Sequence, residues 1–293
     1  MLKKKSSLRH TGAFWAFVAP CCILFGIFFL LPLVLSIAFS FTNYDGWKVM
    51  DFVGIKNYIT LFKDSKFYAS MGRTLVYTIC CLPFRVIIPL LIAVLVTSPR
   101  VRLKSLSRTM IYIPVLMSAL VVGITINWMF SQEYGLVNFI IRSLGGTALE
   151  WSLNPRLATF VIAFASVWAS IGFNMILYIG GINSISNDLY EAATIDGASG
   201  VQAFFRITVP MLAPTTFMVV LLSTVNLLKE YALVQGITQG GPGLSTTFII
   251  QYIFDKGFNQ MQYGYASAIS TVVMIIFALI AFAQFKVNNG GET

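Results

Sequence analysis

The sequence predicts an all-α, polytopic membrane protein with six transmembrane helices and both termini cytoplasmic. Three observations carry this. The chain is 57% hydrophobic and 11% charged, with a mean hydropathy of +0.79. A soluble domain of 293 residues cannot enclose that much apolar surface, so lipid must be the solvent for part of it. The apolar residues fall into six runs of roughly 20 residues or more, the length at which a helix crosses the hydrocarbon core. The basic residues sit at the ends of these runs, where they set orientation.

Taken in order, residues 1–12 form a basic cytoplasmic tail with Lys3, Lys4, Lys5, Arg9 and His10. The first span, about 14–41, is too long for a signal-peptide core and lacks a small-residue cleavage site, so it is read as uncleaved. Residues 42–73 form an external loop. Within it FVGIKNYITLF suggests a short interfacial helix, anchored by Trp47, Phe52, Tyr58 and Phe62. The second span covers about 74–97. A short loop with Arg100, Arg102, Lys104 and Arg108 then marks the inside. The third span is about 109–130. Residues 131–156 lie outside, with Trp151 near the interface, and the fourth span is about 157–182. A cytoplasmic stretch, 187–210, leads to the fifth span, about 209–236. TQGGPGLSTTF is an external loop and FIIQYIFDKGF an amphipathic segment against the outer face. The sixth span, about 264–285, ends at Lys286, closing a spanning domain of 13–286. Residues 287–293 form a cytoplasmic tail.

The net charge of +9 does not point to nucleic acid, because no basic patch is interleaved with aromatics on a soluble module. Cys21, Cys22, Cys80 and Cys81 lie inside apolar runs without metal-ligand spacing and read as small hydrophobes. The sequence has no G-x-x-x-x-G-K-[ST] loop to cradle ATP phosphates. Its single histidine, His10, lies in the basic tail. It offers no metal cluster, and its aspartates lie in loops rather than paired within spans. No catalytic constellation emerges, and the chain is read as a non-enzyme.

The stretch 190–214, YEAATIDGASGVQAFFRITVPMLAP, differs from the rest in carrying Glu191, Asp196 and Arg206 between two apolar runs. Asp188 and Glu191 have capping-box spacing, with Asp in place of Ser or Thr. Leu189, Ala192, Ala193 and Ile195 fall largely on one side of a short helix. Gly197 can take the left-handed conformation that ends it. A second short helix is predicted from Val201 to Ile207. Pro210 and Pro214 then open the next span, where a missing N–H costs little. The product is an exposed helix–turn–helix knob suited to a pocket on a partner.

Glu191-Ala192-Ala193, Gly197, Ile207 and Pro210 resemble the EAA loop of ABC importer permeases. Val209 stands where that family usually has Leu. The fuller pattern, with Asp196-Gly197-Ala198, Phe204, Ile207, Pro210 and Pro214, resembles the carbohydrate-uptake branch. So do Thr238-Gln239-Gly240-Gly241-Pro242 and YGYASAIS at Tyr263 to Ser270. The resemblance implies a type I importer permease fold in a bacterial plasma (inner) membrane. It implies a second, homologous permease subunit, two cytoplasmic ABC ATPase subunits and an external solute-binding protein. ATP and magnesium would belong to the ATPases, with no cofactor in this chain. Coupling would run through Tyr190, Glu191, Ala192, Ala193, Asp196, Gly197 and Phe204.

Polar groups within spans are costly and therefore informative. Ser223, Asn226 and Glu230 recur at i, i+3 and i+7 on the fifth span, one helical face. Hydroxyl, amide and carboxylate groups can replace the water around a sugar. Lys229 is placed to neutralise Glu230. Ser166, Trp168, Phe173 and Asn174 on the fourth span complete the candidate substrate set, the two rings as stacking faces. Hydrogen bonding between helices is the competing use of the polar members. Arg85, between Pro83 and Pro89, is read as snorkelling or pairing with a neighbouring helix. The expectation is an ATP-driven permease for a carbohydrate, an oligosaccharide or a polyol-like solute. The alternatives are an ion-gradient-driven carrier using Glu230 or Arg85, and a non-transporting scaffold.

Overall fold

A computed structural model describes residues 6–47, 50–98 and 101–289. Lys3, Lys4, Lys5, Arg100 and the tail beyond Asn289 lie outside these residues. The described residues are mostly helical, with one isolated antiparallel bridge between Thr42 and Phe52. In chain order the helices are α1 (Phe14–Phe39), α2 (Lys56–Leu61), α3 (Ser65–Thr97), α4 (Lys104–Leu116), α5 (Ala119–Met129), α6 (Leu136–Ser143) and α7 (Pro155–Asn183). They continue with α8 (Asn187–Ile195), α9 (Gly200–Met211), α10 (Ala213–Leu228), α11 (Ala232–Ile237), α12 (Ile249–Phe254) and α13 (Tyr263–Asn289).

Four of these helices are long and apolar enough to cross a membrane, or up to six spans if each of two bent pairs counts as one. The bent pairs explain where single continuous spans were expected. α4 and α5 meet at 97°. Pro114 tightens the chain into a 3₁₀ turn at Ile113–Leu116, and Met117 and Ser118 are extended. α9 and α10 meet at 67° around Leu212, between Pro210 and Pro214, whose missing N–H groups break the ladder. The fifth run therefore ends as helix at Leu228, and α11 is a separate piece. The second run reaches back to Ser65, so part of the expected external loop is helical. Pro83 and Pro89 are carried inside α3 without ending it. In α1, a π-type turn at Gly26–Leu30 precedes Pro32 and accommodates its missing donor.

The chain divides into two compact units: residues 1–64 with 253–276, and residues 65–252 with 277–293. In the first, none of the most apolar window of α1 is buried within the chain. Such a helix needs lipid or another subunit as its surroundings. Its exit is held by Tyr58, whose hydroxyl meets Ser40 Oγ at 2.7 Å, and by Asn57, whose Nδ2 donates to the carbonyls of Ser40 and Thr42. α2 is the short helix predicted within FVGIKNYITLF.

In the second unit α3 packs on α7 and α10, and α5 packs on α11. One apolar cluster gathers Tyr77, Val122, Ile126, Val161, Leu233 and Phe248. A second gathers Ala93, Met175, Tyr178, Ile179, Leu212 and Val219. Glycines allow the closest crossings. A methyl built on Gly123 would meet Leu233 O at 2.9 Å and Gly236 Cα at 3.0 Å. Trp151, expected near the interface, is buried within the chain, donates from Nε1 to Asn138 Oδ1 at 3.0 Å, and meets the Phe130 ring edge-on. Asn138, on the unforeseen helix α6, also donates to the carbonyls of Gln132 and Leu149, so one buried amide ties the loop together. The segment 248–254 is not merely surface-lying: Phe248, Ile249, Gln251 and Tyr252 are buried.

Candidate functional site

The knob at 187–210 is built by local hydrogen bonds. The expected Asp188–Glu191 box is displaced: Ser186 is the N-cap of α8, its Oγ accepting from Asp188 N at 3.3 Å. A hydroxyl two residues earlier satisfies the orphan donor first. α8 ends at Gly197, with φ +75°. Gly197 N donates to Thr194 O at 3.1 Å and Ala198 N to Ala193 O at 2.8 Å, the paired bonds of a Schellman turn. The chain reverses directly into a capping box that sequence reading missed. Ser199 N donates to Gln202 Oε1 at 2.7 Å, and Gln202 N to Ser199 Oγ at 3.3 Å. The S-x-x-Q spacing was its visible signal. α9 then runs on, with a π-type turn at Phe204–Thr208.

The knob is anchored at its base and bare at its tip. Tyr190 and Ile207 pack against the cluster around Met175, Tyr178 and Leu212. The Tyr190 hydroxyl meets Thr208 Oγ1 at 2.9 Å, joining α8 to α9. Glu191, Ala192, Asp196 and Gly197 are exposed, while Ala193 and Phe204 are half-buried. Ile195 is 87% exposed, and Leu189, Val201 and Phe205 are also open. Ala193, Asp196, Gly197, Gln202 and Arg206 line a cleft of about 370 Å³. A rigidly based knob carrying acidic groups beside bare apolar side chains can seat in a partner and transmit displacement to α7 and α10.

Between the helices lies a polar cluster. Arg85 on α3 donates from Nη2 to Ser166 Oγ on α7 at 2.5 Å. The same nitrogen lies 3.9 Å from Glu230 Oε2. Asn174 donates from Nδ2 to Arg85 O at 2.9 Å and to Ser223 Oγ at 3.1 Å. Glu230 Oε1 accepts from Leu233 N at 3.4 Å, at the start of α11. The Glu230 ion-pair partner is thus Arg85, not its neighbour Lys229. Helix ends at Leu228, and Lys229 turns outward.

Ser166, Asn174, Ser223 and Glu230 are therefore brought together, and Arg85 joins them. Trp168, Phe173 and Asn226 are not in the cluster; each is exposed on its helix. The T-x-GGP element is also bonded internally. Thr238 Oγ1 meets Thr246 Oγ1 at 2.7 Å, and Thr246 Oγ1 donates to Gly241 O at 2.6 Å. Thr74 Oγ1 accepts from Ile249 N at 2.9 Å, holding this segment on α3.

A multi-helix apolar fold with an exposed helix–turn–helix knob fits a transport permease subunit. The comparisons agree. Residues 86–289 match the family model of the binding-protein-dependent transport system inner membrane component, and the chain belongs to that family. It is 32% identical to the lactose transport system permease protein LacF of Rhizobium radiobacter, over 92% of each chain. It is 32% identical to the multiple sugar-binding transport system permease protein MsmF of Streptococcus mutans, covering 95% of this chain and 96% of the relative. A crystal structure of a bacterial ABC transporter involved in alginate import contains a chain of the same fold. The TM-score is 0.85, with 23% identity and 97% of each chain covered.

Proposed function

We propose that this chain is one of two homologous permease subunits of an ATP-driven importer that moves a carbohydrate, most simply an oligosaccharide, across a bacterial inner membrane. A binding protein delivers the solute from outside. Two ABC ATPase subunits, which hold ATP and magnesium, seat on the knob at 187–210. Closure of the ATPase pair pushes that knob, and the anchored Tyr190 and Ile207 pass the displacement to the helices. The sugar-transporting relatives support the solute class. The observation that carries the coupling is the knob itself, fixed at its base by the Tyr190–Thr208 bond and bare at Ile195.

The test is reconstitution of the permease pair, ATPases and binding protein in proteoliposomes, with uptake of labelled lactose, raffinose and maltotriose. Uptake should require internal ATP. Glu191→Lys and Gly197→Pro should abolish it while the complex still inserts. ATP-independent uptake driven by a pH gradient would favour an ion-coupled carrier instead.

A further inference from the structure

A second cleft, of about 620 Å³, lies within the unit formed by residues 1–64 and 253–276. Sequence topology places it outside, since its walls are the chain after α1, helix α2, and the turn leading into α13. Those walls are in backbone contact. Gly264 N donates to Tyr44 O at 3.0 Å, and any side chain at Gly264 would collide with Thr42 O. Tyr265 donates from its hydroxyl to Asp64 Oδ2 at 2.7 Å. Lys256 Nζ donates to Gln260 Oε1 at 2.9 Å and stands 5.8 Å from the centre of the Tyr265 ring. The cleft is a built feature, held by bonds on each side.

Its chemistry is specific. Trp47 stands at the rim, 84% exposed. Its backbone N–H donates to Asp45 Oδ1 at 3.1 Å, and its indole Nε1 donates to Met261 Sδ at 3.4 Å. The second contact holds the ring's edge and leaves much of the indole open. Tyr44 and Tyr265 add aromatic surface, and Asn57 Oδ1 and Gln262 add amide groups, whereas the Gln260 amide is closed on Asp255 and Lys256. Among the described residues, the lining carries two carboxylates, Asp45 and Asp64, and one cation, Lys256. Its volume falls in the range typical of small-molecule sites. Flat ring faces beside neutral amides and carboxylate acceptors match a ring with one C–H face and a rim of hydroxyls.

We propose that this cleft is a carbohydrate subsite on the external side, taking one or two residues of a neutral oligosaccharide before it enters the helices. The proposal rests on the reading of the transported solute as a carbohydrate. It assigns Trp47 as the stacking face, and Asp64 and Gln262 as hydroxyl partners.

The test uses the assembled transporter in nanodiscs without binding protein. It is titrated calorimetrically with lactose, raffinose and maltotriose. At least one should bind. Trp47→Ala should weaken that binding about tenfold, the size of one lost stacking contact, and Trp47→Tyr should restore most of it. Gln262→Ala should weaken it less. In the full system the Trp47→Ala loss should appear in KM rather than kcat. Three outcomes overturn the subsite. One is no binding of any of the three sugars. Another is binding unchanged by Trp47→Ala. The third is a defect confined to affinity for the binding protein, which would make the cleft a protein contact. The two readings fail separately: sugar uptake with an indifferent Trp47 removes only the subsite, whereas uptake of a non-carbohydrate removes the functional reading.

Discussion

Arg85 Nη2 stands 3.9 Å from Glu230 Oε2, with the two side chains 6% and 10% exposed. The pair ties α3 to the chain just after α10, and Arg85 extends the tie to Ser166 on α7. Burying charge is expensive, and removing one partner leaves the other uncompensated. Arg85→Ala or Glu230→Ala should each destabilise the protein by about 3–5 kcal/mol. Arg85→Ala combined with Glu230→Ala should lose far less than the sum. Unfolding of the purified complex in mild detergent checks this as a double-mutant cycle. Additive losses would show that the two charges do not depend on each other.

The hydrogen bonds around this pair separate packing from solute contact. Ser223→Ala deletes one interhelical bond and should cost about 0.6 kcal/mol. Asn174→Ala deletes two bonds and should cost more. If these side chains serve the helices, both variants should keep the wild-type KM for uptake. Trp168→Ala and Asn226→Ala, at exposed positions, should instead raise KM with little change in unfolding temperature. The reverse pattern would return Ser223 and Asn174 to the translocation path.

How much of this was legible depends on the range of the interaction. Apolar run length marks a helix by local pattern, and α1, α3, α7 and α13 follow from it directly. Gly197 was legible because a left-handed turn is a one-residue requirement. The breaks at Met117 and Leu212 were not, since a proline either kinks a helix or is absorbed, as Pro83 and Pro89 are in α3. The Arg85–Glu230 pair was half visible. Each residue stood out as a charge in an apolar run, but Lys229 beside Glu230 was the nearer decoy along the chain. Periodicity put Ser223, Asn226 and Glu230 on one face, yet it carries no information on what that face meets. Asn138 was unreadable, because its partners, the Trp151 indole and several backbone groups, come from a loop with no pattern.

The crossing of α5 and α11 should be intolerant of a single methyl. A Cβ on Gly236 would sit 2.7 Å from Leu120 O and 2.9 Å from Gly123 Cα. These are backbone atoms and cannot rotate away. Gly123→Ala and Gly236→Ala should each cost about 1–3 kcal/mol as overpacking. Gly26→Ala, with nothing within 4 Å of the added carbon, should be neutral. Thermal melts of the three variants, compared with wild type, check the ordering. A tolerated Gly236→Ala would mean that the two helices do not approach this closely.

The knob offers a test in which conformation and contact can be told apart. Gly197 has φ +75° and no atom within 4 Å of a built Cβ. Gly197→Ala therefore adds no clash and acts solely through the left-handed backbone, at about 1–2 kcal/mol. Ser199→Ala removes half of the capping box with Gln202 and should cost about 1 kcal/mol. Both loosen the turn and change the exposed surface by no more than a methyl or a hydroxyl. Glu191→Ala changes that surface and leaves the turn intact. If the knob transmits force as a rigid body, the first two variants should lower the number of solute molecules imported per ATP hydrolysed while the ATPases stay bound. Glu191→Ala should weaken ATPase binding itself. Paired measurements of uptake, hydrolysis and subunit co-purification distinguish these effects. Unchanged stoichiometry in Gly197→Ala and Ser199→Ala would show that stiffness of the turn is not what couples the two machines.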